Sequence, residues 1–184
     1  MILLLAVAAG LLAGLGWAGR HQIKYEAPSL RHLWLVFAAF LPQYIVVQSV
    51  LRDTISDAAA AICLIVSQIL FVAFALLNYE HQGMKILLVG AALNLLVMIT
   101  NSGFMPISPQ TASRLVSQAA LSNISSGSRF GAKDILLLPE HTRFEWLADR
   151  FLPPAWFPYQ VAFSLGDVFI AAGVFWLLAR QKKI

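Results

Sequence analysis

Charged side chains are scarce in this sequence of 184 residues, where 13 Lys and Arg and 9 Asp and Glu make up 12% of the chain. Soluble domains carry about 25% charged residues, so this chain has about half the usual charge. Such a composition excludes a disordered tail and a coiled coil, both of which are rich in charge. The basic residues stand singly between apolar runs, which excludes a phosphate-binding patch and therefore a nucleic-acid partner.

Cysteine and histidine are also scarce. Cys63 has no second cysteine to pair with, so no intrachain disulfide forms, and its apolar surroundings indicate a small buried residue. The four histidines all lie in predicted loops or at span borders, and none shows His-x-x-x-His spacing: His21, His32, His81 and His141. A haem or chlorophyll held at the centre of the membrane is therefore not expected. No cofactor is identified, and a pigment or lipid bound at the membrane interface near His32 or His81 stays an alternative.

Long apolar runs dominate what is present, since 59% of the residues are hydrophobic. Five runs approach the roughly 20 apolar residues that cross about 30 Å of hydrocarbon. They cover residues 2–18, 33–51, 58–77, 86–101 and 160–179. We therefore predict one all-α membrane domain over residues 1–184, an integral bundle of five transmembrane helices. A structured extracytoplasmic segment, 102–159, connects helices four and five, and two amphipathic helices are predicted in it, at 109–122 and 142–151.

The distribution of Lys and Arg predicts the orientation in the bilayer. Three basic residues follow the first run and three follow the last: Arg20, Lys24 and Arg31, then Arg180, Lys182 and Lys183. Placing both groups in the cytoplasm gives a protein of the cytoplasmic membrane with its N-terminus outside and its C-terminus inside. In the first run, Gly10 and Gly14 have the spacing of a helix-packing face. We expect this run to be an uncleaved span whose glycine face contacts other chains.

Polar side chains inside the predicted spans have two interpretations. Gln43, Gln68 and Asn94 lie in the second, third and fourth runs. Polar groups in hydrocarbon need partners, so these residues form either hydrogen bonds between helices or a polar seam that binds a ligand.

Motifs in the second half of the chain resemble a known family. They are Asn101-Ser102-Gly103-Phe104-Met105-Pro106, His141, Leu147-Ala148-Asp149-Arg150-Phe151-Leu152-Pro153, Phe163-Ser164-Leu165-Gly166-Asp167-Val168 and Gly173. The sequence resembles a bacterial multi-pass membrane family catalogued as domain of unknown function 5317, which commonly has Asn-Gly-Gly where this chain has Asn101-Ser102-Gly103. The resemblance implies a fold but no activity. It marks as candidate binding residues Asn101, Gly103, His141, Arg150 and Ser164.

A fainter resemblance is to lipoprotein signal peptidase, which has an Asn-rich motif, an Asp-Arg pair and an Asp that opens its last span. It implies a catalytic pair, Asp149 and Asp167, with Asn101 holding the substrate backbone. This chain departs from that family in having Phe-Ser-Leu-Gly-Asp in place of Phe-Asn-x-Ala-Asp. Its Asp149 also does not follow a predicted span.

Both aspartates also have a purely structural interpretation. Ser164 and Asp167 have the spacing of a capping box at a helix start, where the helix dipole also favours a carboxylate. Asp149 would then form a salt bridge with Arg150 or another nearby arginine.

Three functions remain in competition. The first, which we favour, is an accessory or scaffold subunit of a larger membrane complex, with the bilayer and other membrane proteins as partners. A membrane-embedded hydrolase using Asp149 and Asp167 is the second. The third is a small transporter or lipid-binding protein that uses the seam of Gln43, Gln68 and Asn94.

Overall fold

The computed structural model describes residues 2–48 and 54–180. Seven α-helices are present in this part of the chain: α1 Ile2–Arg20, α2 Trp34–Gln48, α3 Asp57–Leu77, α4 Gln82–Thr100, α5 Pro109–Ala112, α6 Gln118–Ser122 and α7 Leu165–Ala179. The end of the predicted second span, 49–51, lies outside the described residues, as do the basic residues Lys182 and Lys183.

Three helices are long and apolar enough to cross a bilayer, namely α1, α3 and α4. They contain 19, 21 and 19 residues, which at 1.5 Å per residue gives about 30 Å. The apolar helices α2 and α7 have 15 residues each in the described chain, or about 22 Å by the same rise. The structure thus confirms a mostly helical protein that is compatible with a membrane location, with three of the five predicted spans at full length.

Glycines bring α4 and α7 into close contact. Gly83 faces Gly173, and about two turns further along α4, Gly90 faces Gly166. The two helices are therefore antiparallel. A Cβ added at Gly83 would lie 2.5 Å from the Gly173 carbonyl oxygen, and one added at Gly173 would lie 2.6 Å from the Leu87 amide nitrogen. Side chains at these positions would therefore force the helix backbones apart.

The first helix packs along the other side of α7. Gly10 lies against the backbone of Phe175, and Gly14 lies against the backbone of Leu178, so α1 and α7 are parallel. The Tyr25 hydroxyl, just after α1, donates to the Leu178 carbonyl oxygen at 3.2 Å. The expectation that the Gly10 and Gly14 face contacts other chains is therefore wrong, because α7 of the same chain already occupies that face.

The five longest helices pack side by side in a row, in the order α1, α7, α4, α3 and α2. One apolar cluster in this row continues from the helices into the connecting segment 102–159. It contains Val46, Ala60, Leu64, Val97, Met98, Phe104, Met105, Ile135 and Leu147. The connecting segment is thus anchored on the ends of the helices by shared burial of apolar side chains.

A small three-stranded sheet forms within the connecting segment, which the all-α prediction did not include. Its strands are β1 Met105–Ile107, β2 Arg129–Phe130 and β3 Asp134–Leu136, in the spatial order β1-β3-β2. The β1 and β3 strands are parallel, and β2 and β3 are antiparallel. Strands this short carry no readable alternation of apolar and polar residues.

The two helices predicted in this segment form only in part, which corrects the prediction. Residues 109–122 form two separate turns, α5 and α6, each capped by its own serine, Ser108 and Ser117. Residues 142–151 contain a single 3₁₀ turn, Glu145–Leu147. A turn at Arg143 and Phe144 precedes it. After it, Asp149 pairs with β1, and its amide donates to the Pro106 carbonyl oxygen at 3.0 Å.

Candidate functional site

The first turn of α7 is closed by a capping box. The Ser164 hydroxyl accepts a hydrogen bond from the Asp167 amide at 3.0 Å, and the Asp167 carboxylate accepts one from the Ser164 amide at 3.1 Å. These bonds satisfy two amides that a helix start leaves without partners. The structural interpretation of Asp167 is thus confirmed, because this carboxylate fixes the start of α7.

Asn94 of α4 binds both members of this box. Its side-chain nitrogen donates to the second Asp167 oxygen at 2.8 Å, and its side-chain oxygen accepts a hydrogen bond from the Ser164 hydroxyl at 2.8 Å. Gly166 lies directly against the Asn94 amide, so any side chain there would overlap it. We call these three hydrogen-bonded residues the Asn94 contact. It satisfies every polar atom of a buried asparagine between two helices.

A second set of charges lies next to this contact. The Lys133 ammonium is 2.5 Å from an Asp149 carboxylate oxygen and 3.4 Å from an Asp134 oxygen. The Asp149 side chain is fully buried, whereas that of Lys133 is 36% exposed. Together with Asp167, which acts electrostatically on all three, these residues form what we call the charged cluster.

The charged cluster holds more carboxylates than its one ammonium can neutralise. Burial, together with the negative charges of Asp134 and Asp167, raises the pKa of Asp149 to about 8 against the lowering effect of Lys133. Burial also raises the pKa of Asp134 above its ordinary value. Burial lowers the pKa of Lys133, but the three carboxylates outweigh it, and the net pKa lies well above its ordinary value. The cluster therefore favours a charged Lys133, and burial disfavours the ionised form of both acids.

The predicted catalytic residues lie in one charged cluster but differ in access. Asp167 lines a cavity, whereas Asp149 does not. Asp149 is completely buried and is paired with Lys133, not with the predicted Arg150. Arg150 instead contacts Glu145 on the surface, at 3.5 Å.

A cavity of about 580 Å³ opens beside the Asn94 contact. Most of its wall is apolar, and its lining residues are Ile2, Leu3, Leu5, Gln43, Leu64, Gln68, Asn94, Met98, Met105, Lys133, Leu152, Pro153, Pro154, Phe157, Val161, Ala162, Phe163 and Asp167. The structure therefore brings Gln43, Gln68 and Asn94 of the predicted seam to one cavity. Lys133 and Asp167 line it with them, and we call these five residues the polar end of the cavity.

Comparison with known proteins places the chain in a family. The profile of a family of unknown function, DUF5317, matches residues 28–179, well over half of the sequence. The chain belongs to the DUF5317 family. This confirms the resemblance, and it extends the match forward to α2. Curated proteins and solved structures give no match, so the fainter resemblance to signal peptidase is unsupported.

The Asn-Gly-Gly motif of the DUF5317 family corresponds here to a turn that needs glycine-like backbone angles. Ser102 and Gly103 both have positive φ, at 60° and 85°. Asn101 binds the backbone of Arg143, accepting from its amide at 3.0 Å and donating to its carbonyl at 2.9 Å. Asn101 and Gly103 therefore shape the connecting segment, and Asn101 does not contact the two aspartates as the peptidase resemblance implied.

The structure does not bring the other three candidate binding residues, His141, Arg150 and Ser164, to one place. His141 ends an exposed 3₁₀ turn, Pro139–His141, and does not line the cavity, nor does the exposed Arg150. Ser164 is buried in the Asn94 contact.

Sequence reasoning missed Lys133 and Asp134. Their signal was a turn, since Gly131 with positive φ stands between the short strands β2 and β3. A three-residue connection with such a glycine is typical of a β-hairpin. It could have placed Lys133 and Asp134 at a turn, but it could not have shown their contact with Asp149.

We predict that the stability of the protein falls as pH rises from the ordinary Asp value of 3.8 to about 8. In this window the folded cluster holds a proton that the unfolded chain has lost, so raising the pH favours unfolding. Melting temperatures in a mild detergent measure this dependence.

Two variants test the assignment of this dependence. Asp149→Asn should weaken the pH dependence, whereas Glu145→Gln, on the exposed surface, should retain it. A melting temperature that climbs with pH across this window, or an equal slope in Asp149→Asn and the unmodified protein, would contradict the assignment.

Proposed function

We propose that this protein binds an amphiphilic, lipid-like molecule in the cavity beside the Asn94 contact. The observation that carries the proposal is a mostly apolar cavity wall that also contains the five residues of the polar end. Ligand sites are typically apolar cavities of about 300–1,000 Å³ with a few placed polar groups, and this cavity has that form.

The apolar walls suit a hydrocarbon chain. One wall comes from the start of α1 and another from the stretch before α7, with Ile2, Leu3, Leu5, Pro154, Phe157 and Val161 among their residues. Leu5 is 52% exposed and Val161 is 42% exposed, so these parts of the wall are reachable from outside the protein. A chain entering from a bilayer would exchange one apolar environment for another.

The polar end suits a headgroup. Gln68 lines the cavity, and its side-chain oxygen is buried with no hydrogen-bond partner among the described residues. A buried acceptor without a donor costs free energy of about 1–3 kcal/mol. A ligand with an N–H or O–H group would remove this cost, whereas an apolar ligand would not.

The other two functions have weaker support. A hydrolase would need a water between Asp149 and Asp167, but Asp149 is fully buried behind Lys133. The accessory-subunit hypothesis is weaker because α7 of the same chain occupies the glycine face of α1. Its remaining support is a group of exposed aromatic residues in the connecting segment: Phe144, Trp146, Phe151, Trp156 and Tyr159. Aromatic side chains of this kind also gather where a protein meets the membrane interface.

Leu5→Trp should weaken binding about tenfold, because a larger side chain in the cavity wall displaces the hydrocarbon chain. A tenfold loss of affinity corresponds to about 1.4 kcal/mol. Leu4→Trp is the matched control, since Leu4 is 73% exposed and does not line the cavity. The measurement is native mass spectrometry of the purified protein with added lauryl alcohol, laurylamine or lauric acid. Failure of all three to bind saturably, or equal effects of the two variants, would overturn the proposal.

We also propose that the chain lies in the bacterial cytoplasmic membrane with its N-terminus outside and its C-terminus inside. The parallel packing of α1 and α7 means that both helices cross in the same direction, which places the two chain ends on opposite sides. The basic residues after α1 agree with the positive-inside rule. The segment 102–159 would lie outside, where it closes one end of the cavity.

A cysteine introduced at the exposed Ser126, in a Cys63→Ala background, should react with a membrane-impermeant maleimide on intact cells. An introduced Gly19→Cys, at the opposite end of α1 and also exposed, should react only after lysis. The reverse pattern would overturn the orientation while leaving the binding proposal unaffected.

A further inference from the structure

The charges at the polar end of the cavity do not balance, and this bears on which headgroup the cavity accepts. The charged cluster contains three carboxylates and one ammonium: Asp134, Asp149, Asp167 and Lys133. With every carboxylate ionised, it would have two negative charges in excess. Buried charges without partners are unfavourable, so the cluster must either hold a proton or gain further positive charge.

In the part of the chain that the structure describes, the neighbouring elements supply no other cation to the cluster. Among the groups that act on Asp149 in the described chain, Lys133 is the only positive one. From β2, Arg129 donates instead to the carbonyl oxygens of Ala132 and Val46, at 3.2 and 3.3 Å. Arg150, adjacent to Asp149, is engaged by Glu145. The β1 strand has no ionisable residue, and α4 contributes the neutral Asn94.

Hydrogen-bond donors are missing as well as positive charge. One oxygen each of Asp149 and Gln68 is buried without a hydrogen-bond partner among the described residues, and Gln68 lines the cavity. Asp134 and Asp149 interact through their side chains, and a hydrogen bond between the two carboxyl groups needs a proton on one of them. In the cavity wall the Gln68 oxygen lacks a donor, and the Asp167 carboxylate belongs to the cluster with excess negative charge. The wall therefore calls for a group that brings both an N–H bond and positive charge.

We propose that the preferred ligand is a hydrophobic amine, whose ammonium group binds beside Asp167 and Gln68 while the cluster releases one proton. This inference rests on the proposed binding function and specifies its headgroup. One positive charge enters and one proton leaves from the Asp134–Asp149 pair to the solvent, so the net charge of the buried cluster is unchanged. That balance avoids the desolvation cost of an added charge.

An organic cation fits this site better than a metal ion does. The described residues contain no group of three or more His, Cys, Asp and Glu side chains arranged to hold a metal. The apolar walls beside Asp167 would instead contact the hydrocarbon part of an amine. The cavity thus has a matching surface for each part of the amine: Asp167 for the ammonium group and the apolar walls for the hydrocarbon chain.

Proton release sets the direction of the pH dependence. At low pH the protons on the two acids compete with the amine, so amine binding is weak. As pH rises toward the Asp149 pKa of about 8, the affinity should rise. The slope should approach tenfold per pH unit when one proton is released. A neutral ligand of the same length has no charge to exchange, so its affinity should not change.

The experiment compares laurylamine with lauryl alcohol in titrations of the purified protein from about pH 6 to about pH 8. Calorimetry in two buffers of different ionisation enthalpy counts the protons released. We expect laurylamine to bind more tightly with rising pH and to release about one proton, with lauryl alcohol independent of pH. Asp149→Asn and Asp134→Asn should each reduce the slope, and Glu145→Gln should retain it. If a variant does not fold, the pH dependence and the proton release of laurylamine binding to the unmodified protein still test the proposal.

Each outcome separates this inference from the proposed function. Equal, pH-independent binding of the amine and the alcohol would overturn the exchange but support the cavity as an amphiphile site. Preferential binding of lauric acid would overturn it in the same way. No binding of any of the three compounds would remove the proposed function, and the exchange with it.

Discussion

The contact of Asn94 with the start of α7 is the interaction on which the candidate site depends. A single buried asparagine uses both of its polar atoms, one on Asp167 and one on Ser164, so two helices far apart in sequence are aligned at one point. Because the same Asp167 carboxylate lines the cavity, this contact also fixes one side of the polar end. Structure and site are therefore built from the same side chains.

Close packing along α7 makes this contact geometrically precise. Glycine pairs at two levels, Gly83 with Gly173 and Gly90 with Gly166, set the distance between the α4 and α7 backbones. On the other side, Gly10 and Gly14 bring α1 equally close. In a bilayer, where lipid is as apolar as the helices, such close approach and a few polar contacts are what favour one packing arrangement over others. The start of α1 then lies where it can form a wall of the cavity.

Local features of this fold could be predicted from the sequence, and long-range ones could not. Apolar runs located the five main helices, and the three-residue spacing of Ser164 and Asp167 predicted the capping box, because both signals lie within a few residues. The strands of the small sheet are too short to show a period. Lys133 and Asp149 are 16 residues apart, and no local pattern reports their contact. The glycine face of α1 was visible in the sequence, but the identity of the helix that packs on it was not.

A double-mutant cycle between Asn94→Ala and Asp167→Ala tests the central claim, that these two side chains together hold α7 against α4. The free energy of unfolding in mild detergent gives the coupling energy between them. We predict a coupling of about 0.5–2 kcal/mol, the range for polar contacts between membrane helices. The same cycle between Asn94→Ala and Asn78→Ala should be additive, since Asn78 instead binds the backbone of Arg31 and Phe74. Additive effects of Asn94→Ala and Asp167→Ala would contradict the account.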